Sequence, residues 1–330
     1  MTGTISRRGL ALGLLGAPLL AGGAAAQGAG QGGFPQRPVR IVIGFPPGGG
    51  IDILARLMAP HMSAKLGQPV VVENRPGANG LVATQAVLGA EPDGRTIFFG
   101  TTGNLAVNPA LYPNQGFDLL RDMAPLSLVA QLAFVLVVNP NVPAQTLAEF
   151  IALAKARPGQ FNYASSGNGG LPHLSGELLN SLAGVQTIHV PYRGSAPAFT
   201  DVIAGQVQFM FDALAIAQPH IAAGRVRALG ITGPRPLAGL PGVPVISSQV
   251  PGYEVVNWYG MTVRAGTPAP IITRLQSEVA AALAVPEVAQ RAAGLGLDLV
   301  GSTPEDFASF QRAEITKWTE VIRRGNIKAD

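Results

Sequence analysis

Val39-Arg40-Ile41-Val42-Ile43-Gly44-Phe45-Pro46-Pro47-Gly48-Gly49-Gly50-Ile51-Asp52 is the stretch from which the fold can be read. Its first five residues form a short, mostly β-branched run, as a buried parallel strand requires. Glycine and proline then break the regular pattern. Asp52 opens a helical stretch, with Leu54, Leu57, Met58 and Met62 at helical spacing and Gly67 as its stop. The segment is therefore a strand, a glycine turn and a helix. Working outward, residues 70–72 read as a second strand, Asn74-Arg75-Pro76-Gly77 as a turn, 81–89 as a helix and 96–99 as a third strand. Strands alternating with helices imply an α/β domain with a parallel sheet.

The same pattern returns later in the chain. After an extended segment over 126–138, Thr146-Leu147-Ala148-Glu149 has the form of a capping box and starts a helix that stops at Pro158-Gly159. A strand over 161–164 meets a second glycine turn, Ser165-Ser166-Gly167-Asn168-Gly169-Gly170. A helix to Ala183-Gly184, a strand over 187–190, a helix over 196–204 and a strand over 206–211 follow. A second extended segment spans 255–263, and helices begin near Pro268 and Thr303. In the last, Phe307, Phe310, Ile315, Trp318 and Ile322 give a packing face. Two α/β lobes with two extended crossings, near 130 and 255, predict a clamshell. Residues 34–130 with 255–330 form lobe I, and 131–254 form lobe II.

Residues 1–26 read as an export signal: Arg7 and Arg8, an apolar run too short to span a membrane, and small residues ending at Ala26. The segment fits a Sec signal, and Ser6-Arg7-Arg8-Gly9-Leu10 also resembles a twin-arginine signal. Residues 27–33 form a Gly/Gln-rich leader, and the expected location is periplasmic. Without Arg7 and Arg8 the net charge falls from +4 to +2. With no basic cluster and few aromatics, nucleic-acid binding is not expected. The absence of cysteine excludes a disulfide scaffold, a thiolate metal site and a lipid-anchored cysteine. His61, His189 and His220 lack metal-ligand spacing with any neighbour. No metal and no cofactor are expected.

The two glycine turns carry the chemistry. Each follows a strand and opens a helix, the position outside the carboxyl ends of sheet strands where ligands bind. Helix N-termini there present unpaired N–H groups and partial positive charge. Gly48-Gly49-Gly50 and Gly167-Asn168-Gly169-Gly170 thus read as two anion cradles on one cleft, suited to a carboxylate. The first turn has no Walker lysine, Ile53 stands where a GxGxxG turn needs glycine, and no serine sits in a GxSxG elbow. His173 is read either as a ligand contact or as a histidine bonded to local backbone. Asp212 is read as a loop organiser or an acceptor for a ligand amine, and Arg193 as a surface residue or a fork for a distal carboxylate.

The ordered motifs Val42-Ile43-Gly44-Phe45-Pro46-Pro47-Gly48-Gly49-Gly50, Gln68-Pro69-Val70-Val71-Val72-Glu73-Asn74-Arg75-Pro76-Gly77 and Pro92-Asp93-Gly94 continue through the chain. They are followed by Asn162-Tyr163-Ala164-Ser165-Ser166-Gly167-Asn168-Gly169, His189-Val190-Pro191-Tyr192-Arg193-Gly194 and Met210-Phe211-Asp212. From about Pro38 to the C-terminus the chain resembles the substrate-binding proteins of tripartite tricarboxylate transporters, the TctC or Bug receptor family. The resemblance implies a type II periplasmic-binding clamshell that grips a small carboxylate with main-chain N–H groups and ordered waters, and is not an enzyme. It implies ligand contacts from Phe45, Gly48, Gly49, Gly50, Ile51 and Asp52, and from Thr101, Thr102 and Gly103. From the second lobe it implies Ser165, Ser166, Gly167, Asn168 and Gly169, with Tyr192, Gly194 and Asp212 at the border. Ile51 stands where many members carry a small or hydroxyl residue, so an apolar ligand wall is expected there. The implied partners are two transmembrane permease subunits. A sensor feeding a signalling kinase is the alternative, and an exported hydrolase or isomerase using Ser165, His173 and Asp212 the third reading.

Overall fold

In the computed structural model, which describes residues 33–328, Val39–Ile43 (β1) is the central strand of a parallel trio. It pairs on one side with β2 (Val70–Asn74) and on the other with β3 (Thr96–Thr101). Every β1 residue except Arg40 is buried, which is why the run carries almost no polar alternation. Helix α1 (Gly50–Leu66) follows the first glycine turn and buries Leu54, Met58 and Met62 against the sheet. Gly67 ends it at φ 67°, a left-handed cap that favours glycine. The expected export segment, residues 1–26, lies outside the described residues, as do 27–32 of the leader.

Helix α2 (Leu81–Leu88) leads to β3, after which a π-helical turn, Gly103–Val107, and two short helices, α3 (Asn108–Leu111) and α4 (Leu119–Asp122), reach the long strand β4 (Met123–Val138). Helix α5 (Leu147–Ala156), β5 (Phe161–Ser165), α6 (Leu171–Ala183), β6 (Thr187–Pro191), α7 (Ser195–Ala204) and β7 (Phe209–Ala213) form the second α/β run. Then come α8 (Leu214–Ala222), β8 (Arg227–Ile231), the return strand β9 (Val256–Arg264), α9 (Ala269–Leu283), α10 (Pro286–Gly294), β10 (Asp298–Leu299) and α11 (Pro304–Gly325). The main strand order is β2-β1-β3-β9-β4-β7-β5-β6, with β8 and β10 also paired to β4.

β4 belongs to both halves of this arrangement. Its residues 123–133 pair antiparallel with β9, and 134–138 pair with β7 and β8. The change of partner falls between Ala133 and Phe134. There the fully buried Thr232 joins the two crossings. Its hydroxyl accepts the Phe134 N–H at 2.8 Å and donates to the Val255 carbonyl at 2.6 Å, and its own carbonyl accepts the Val255 N–H at 2.9 Å. Nothing in the sequence pattern marked this threonine.

The cap before α5 differs in detail from a reciprocal capping box. Thr146 Oγ1 accepts the Glu149 N–H, but the Glu149 carboxylate takes the Gln145 N–H, one residue before the cap. Strand β7 begins at Phe209, not 206, because the Gln206 and Val207 N–H groups are used on the Asp201 carbonyl to close α7. The C-terminal helix is pinned by Glu314 Oε2, which accepts from both Trp258 Nε1 (2.9 Å) and Trp318 Nε1 (3.0 Å). Phe307, Trp318 and Ile322 are buried on its inner face. No helix among the described residues is long and apolar enough to cross a membrane.

Candidate functional site

A cleft of ≈ 540 Å³ opens beside the carboxyl ends of β1, β3, β5 and β7, where the turn chemistry places it. Of the residues expected at the site, it is lined by Phe45, Gly50, Thr101, Gly103, Ser166, Gly167, Asn168, Gly169 and Asp212. A smaller hollow of ≈ 420 Å³ lies between α6 and α11. Its charged side chains are engaged with neighbours, Glu320 with Arg323 and Arg324, and Lys317 with Glu314.

The first turn is held open by one carboxylate. Asp52 Oδ2 accepts the Gly48 N–H at 2.9 Å, while Arg56 and Asn74 bind the same side chain. Asn74 Nδ2 also donates to the Phe45 carbonyl at 3.1 Å, so both ends of the turn are tied to β2. Burial pushes the Asp52 pKa up. The hydrogen bonds from Arg56, the Gly48 N–H and Asn74, with the Arg56 charge, outweigh it and hold the carboxyl below its ordinary value. Asp52 is 2 % exposed and is not a cleft wall. It shapes the turn from behind. Gly49 has extended backbone as the helix N-cap, with no side-chain cap, and its carbonyl takes the Ile53 N–H. The N–H groups of the first turn before Ile53 thus have no intrahelical partner, and Gly50 brings the helix end to the cleft.

The second turn is closed on itself. Gly167 N–H donates to Ser165 Oγ (3.2 Å), Gly169 N–H to His173 Nδ1 (3.0 Å), and Gly170 N–H to the Gly167 carbonyl (3.4 Å). Pro172 stands at the start of α6 and has no N–H to offer. Beneath the turn, His173 stacks on His189 with ring centroids 3.6 Å apart. His189 Nε2 lies 2.6 Å from Ser165 Oγ, and Tyr163 Oη donates to Glu177 at 2.7 Å. The loop that sequence alone equates with the first therefore spends three of its N–H groups internally. Main-chain N–H groups are less available here because His173, one helical turn on, and Ser165 supply local acceptors.

Several expected residues sit elsewhere. Ile51 is 4 % exposed and packs in the core, so its side chain is not the apolar wall expected there. Apolar surface at the cleft comes instead from Leu132, Phe134, Pro172, Ile216, Leu295 and Leu297. Thr102 is fully buried, and its hydroxyl accepts the Trp258 N–H at 2.8 Å, tying β3 to β9. Ser165 and His173 lie under the second turn. Tyr192 Oη donates to Asp201 at 2.6 Å; burial first, then this carboxylate, push the phenol to about 12. Gly48, Gly49, Tyr192 and Gly194 are not among the cleft-lining residues.

Sequence reading missed Asn79, Asn257 and Tyr259, all of which line the cleft. Asn79 has φ 48°, and its carbonyl accepts from Asn104 (2.7 Å) and Asn108 (3.0 Å). The Asn79-Gly80 dipeptide was a usable turn signal for this. Asn257 and Tyr259 arrive on β9, far along the chain, and nothing local to them marks the site. Tyr259 is 8 % exposed, and burial raises its pKa to about 12, so it enters the cleft as a neutral phenol. Among the described residues no three His, Asp or Glu side chains group as a metal site.

A two-lobed α/β clamshell with a helix N-terminus at its cleft defines a solute-binding receptor of the type II periplasmic class. The sequence profile described as tripartite tricarboxylate transporter family receptor matches residues 54–327. The chain belongs to that family, whose members are solute-binding receptors and not enzymes. It is 34 % identical over 297 residues to the protein BugT of Bordetella pertussis, covering 89 % of this chain and 91 % of BugT. Among solved structures it is similar to an R. palustris protein with adipate (34 % identity, TM-score 0.76, 89 % of this chain and 99 % of that one). It is also similar to MatC of Rhodopseudomonas palustris with bound malate (32 %, TM-score 0.72, 88 % and 100 %) and to the periplasmic binding protein BugD (31 %, TM-score 0.73, 90 % and 100 %).

Proposed function

We propose that this chain is an exported periplasmic receptor that captures a small carboxylate and delivers it to the membrane subunits of a tripartite tricarboxylate-type transporter. The observation that carries this reading is the N-terminus of α1, without a side-chain cap, at a cleft that no lysine, arginine or histidine lines. A carboxylate there meets N–H groups and the positive end of the helix dipole, an attraction of about 0.3–1 kcal/mol per charge before hydrogen bonds are counted. The relatives solved with adipate and malate support a carboxylate as the ligand class. The apolar walls favour an acid with a hydrocarbon body. Residues 34–130 with 255–330 are proposed as one lobe and 131–254 as the other, closing about the crossings that Thr232 joins. Residues 1–26 are the proposed export signal.

The test is a thermal-shift and calorimetry panel on the chain from Gln27: adipate, malate, citrate, aspartate and benzoate. Selective stabilisation by one acid class, with the acid recovered unchanged, is the expected result. A folded protein that is purified without bound acid and binds none of the five contradicts the reading.

A further inference from the structure

Asp212 is an exception in the cleft. Of the buried side-chain polar atoms without a hydrogen-bond partner among the described residues, Asp212 Oδ2 is the one belonging to a cleft-lining residue. The side chain is 4 % exposed, and Oδ1 accepts the Ala213 N–H at 2.7 Å. An unpartnered buried carboxyl oxygen is costly, more so if it is charged, so it marks a place where a partner is missing. No lysine, arginine or histidine lines the cleft, and its one other ionisable side chain is the neutral Tyr259. An anionic ligand brought beside an ionised Asp212 would face a like charge among apolar walls with no cationic side chain between them. Two carboxyl groups in such a place are accommodated by sharing one proton.

We propose that Asp212 sets specificity as a neutral acid, donating a hydrogen bond from Oδ2 to an oxygen of the bound carboxylate. Wherever Asp212 is ionised in the free protein, binding the anion then takes up one proton from solution. The inference rests on the reading of the cleft as a carboxylate site. Its other support is electrostatic: burial raises the Asp212 pKa, and the opposing pulls of the Ser195 hydroxyl, which lies near the carboxyl without bonding to Oδ2, and of the Ala213 N–H do not cancel it.

Groups packed around β7 do not supply a competing charge. β4 sets Val135 opposite Asp212. On β6 and α6, His189 is engaged with Ser165, and His173 with the Gly169 N–H. Glu177 takes the Tyr163 hydroxyl, Asp201 on α7 takes that of Tyr192, and His220 on α8 stacks on Phe199. A ligand ammonium group would be the opposite solution, keeping Asp212 ionised.

The experiment is calorimetry with adipate, malate and benzoate at about pH 5, 7 and 9, repeated in two buffers of different ionisation heat. For the tightest of the three acids, affinity falls as pH rises, by up to about tenfold per unit, with uptake of about one proton where the slope is steepest. In Asp212→Asn, whose amide donates without a titrating proton, binding is flat with pH and tighter than wild type at the highest pH. Wild-type affinity that does not change with pH overturns the inference. So does weaker binding by Asp212→Asn at high pH, the result a ligand ammonium on an ionised Asp212 would give. The wild-type proton count needs no variant, so the test stands if the substitution disturbs folding. Binding that is independent of pH removes this inference alone. If none of the three acids binds, it falls together with the carboxylate reading.

Discussion

The two glycine turns look alike in sequence and are built differently. In the first, one side chain behind the loop, Asp52, holds Gly48, and the N-terminus of α1 is left without a side-chain cap. In the second, Ser165 and His173 take up N–H groups of the loop itself, and a proline sits in the first turn of α6. Composition sets where backbone is flexible enough to approach a ligand. Whether its N–H groups remain available depends on acceptors one turn or one strand away. On the proposed reading the first turn receives the anion, and the second serves chiefly as a rigid wall.

The largest expected effect separates the two at once. Gly50 lies in the helix without a positive φ, and a Cβ there would lie 3.0 Å from Tyr259 Oη, a tight approach at the cleft. Gly50→Leu is expected to weaken acid binding by about a hundredfold or more, roughly 2.7 kcal/mol, with a small change in melting temperature. A variant that binds normally by calorimetry breaks the comparison.

Gly169→Ala acts on stability instead. Gly169 has φ +66°, and its Cβ would meet Leu111 Cδ2 at 2.5 Å, a side chain that is not among the cleft-lining residues. A loss of about 2 kcal/mol in a denaturant melt is expected from strain and contact together, with affinity of the folded protein changed by less than about threefold. Larger loss of affinity than of stability would return the second turn to the role of an anion cradle.

Asp52→Asn sharpens the account of the first turn through pH. The folded-state pKa of Asp52 lies below its ordinary value of 3.8. Its stabilisation is therefore fully present above that value and is lost as pH falls through the folded pKa. Melting temperature followed from neutral pH down to about pH 2 is expected to show a steeper acid drop in wild type than in the variant. The variant is also expected to bind acids more weakly by about tenfold at neutral pH, since the Gly48 clamp is loosened. Equal acid profiles would remove Asp52 as the organiser.

The smallest effect is at Ile51. Because its side chain is in the core, Ile51→Thr is expected to lower stability while leaving the affinity ratio of benzoate to malate within about twofold. A change of preference would mean that the side chain reaches the ligand after all.

The fold was largely legible because its signals are local. The β-branched run of β1, the stop at Gly67 and the cap at Thr146 each act within a turn of themselves. Among the elements left out, β8 and β10 are short strands whose stability comes from pairing with β4. In the site, Gly50 and the second-turn glycines were read at the cleft because turn chemistry fixes where a strand hands over to a helix, while Phe45 came from the family resemblance. Thr102 and Ile51, which the resemblance implied as contacts, are buried in the core next to cleft-lining Thr101 and Gly50, a matter of one residue's phase that a resemblance does not resolve. Asn257 and Tyr259 were out of reach because β9 is laid beside β3 only by the return of the chain.

The most direct test of the central claim is a crystal structure of the complex with the tightest-binding acid of the panel. The account predicts a carboxylate oxygen within about 3 Å of main-chain N–H groups in the first turn of α1, directly or through one water. A carboxylate seated on the N-terminus of α6, with the Gly169 N–H released from His173, would contradict it.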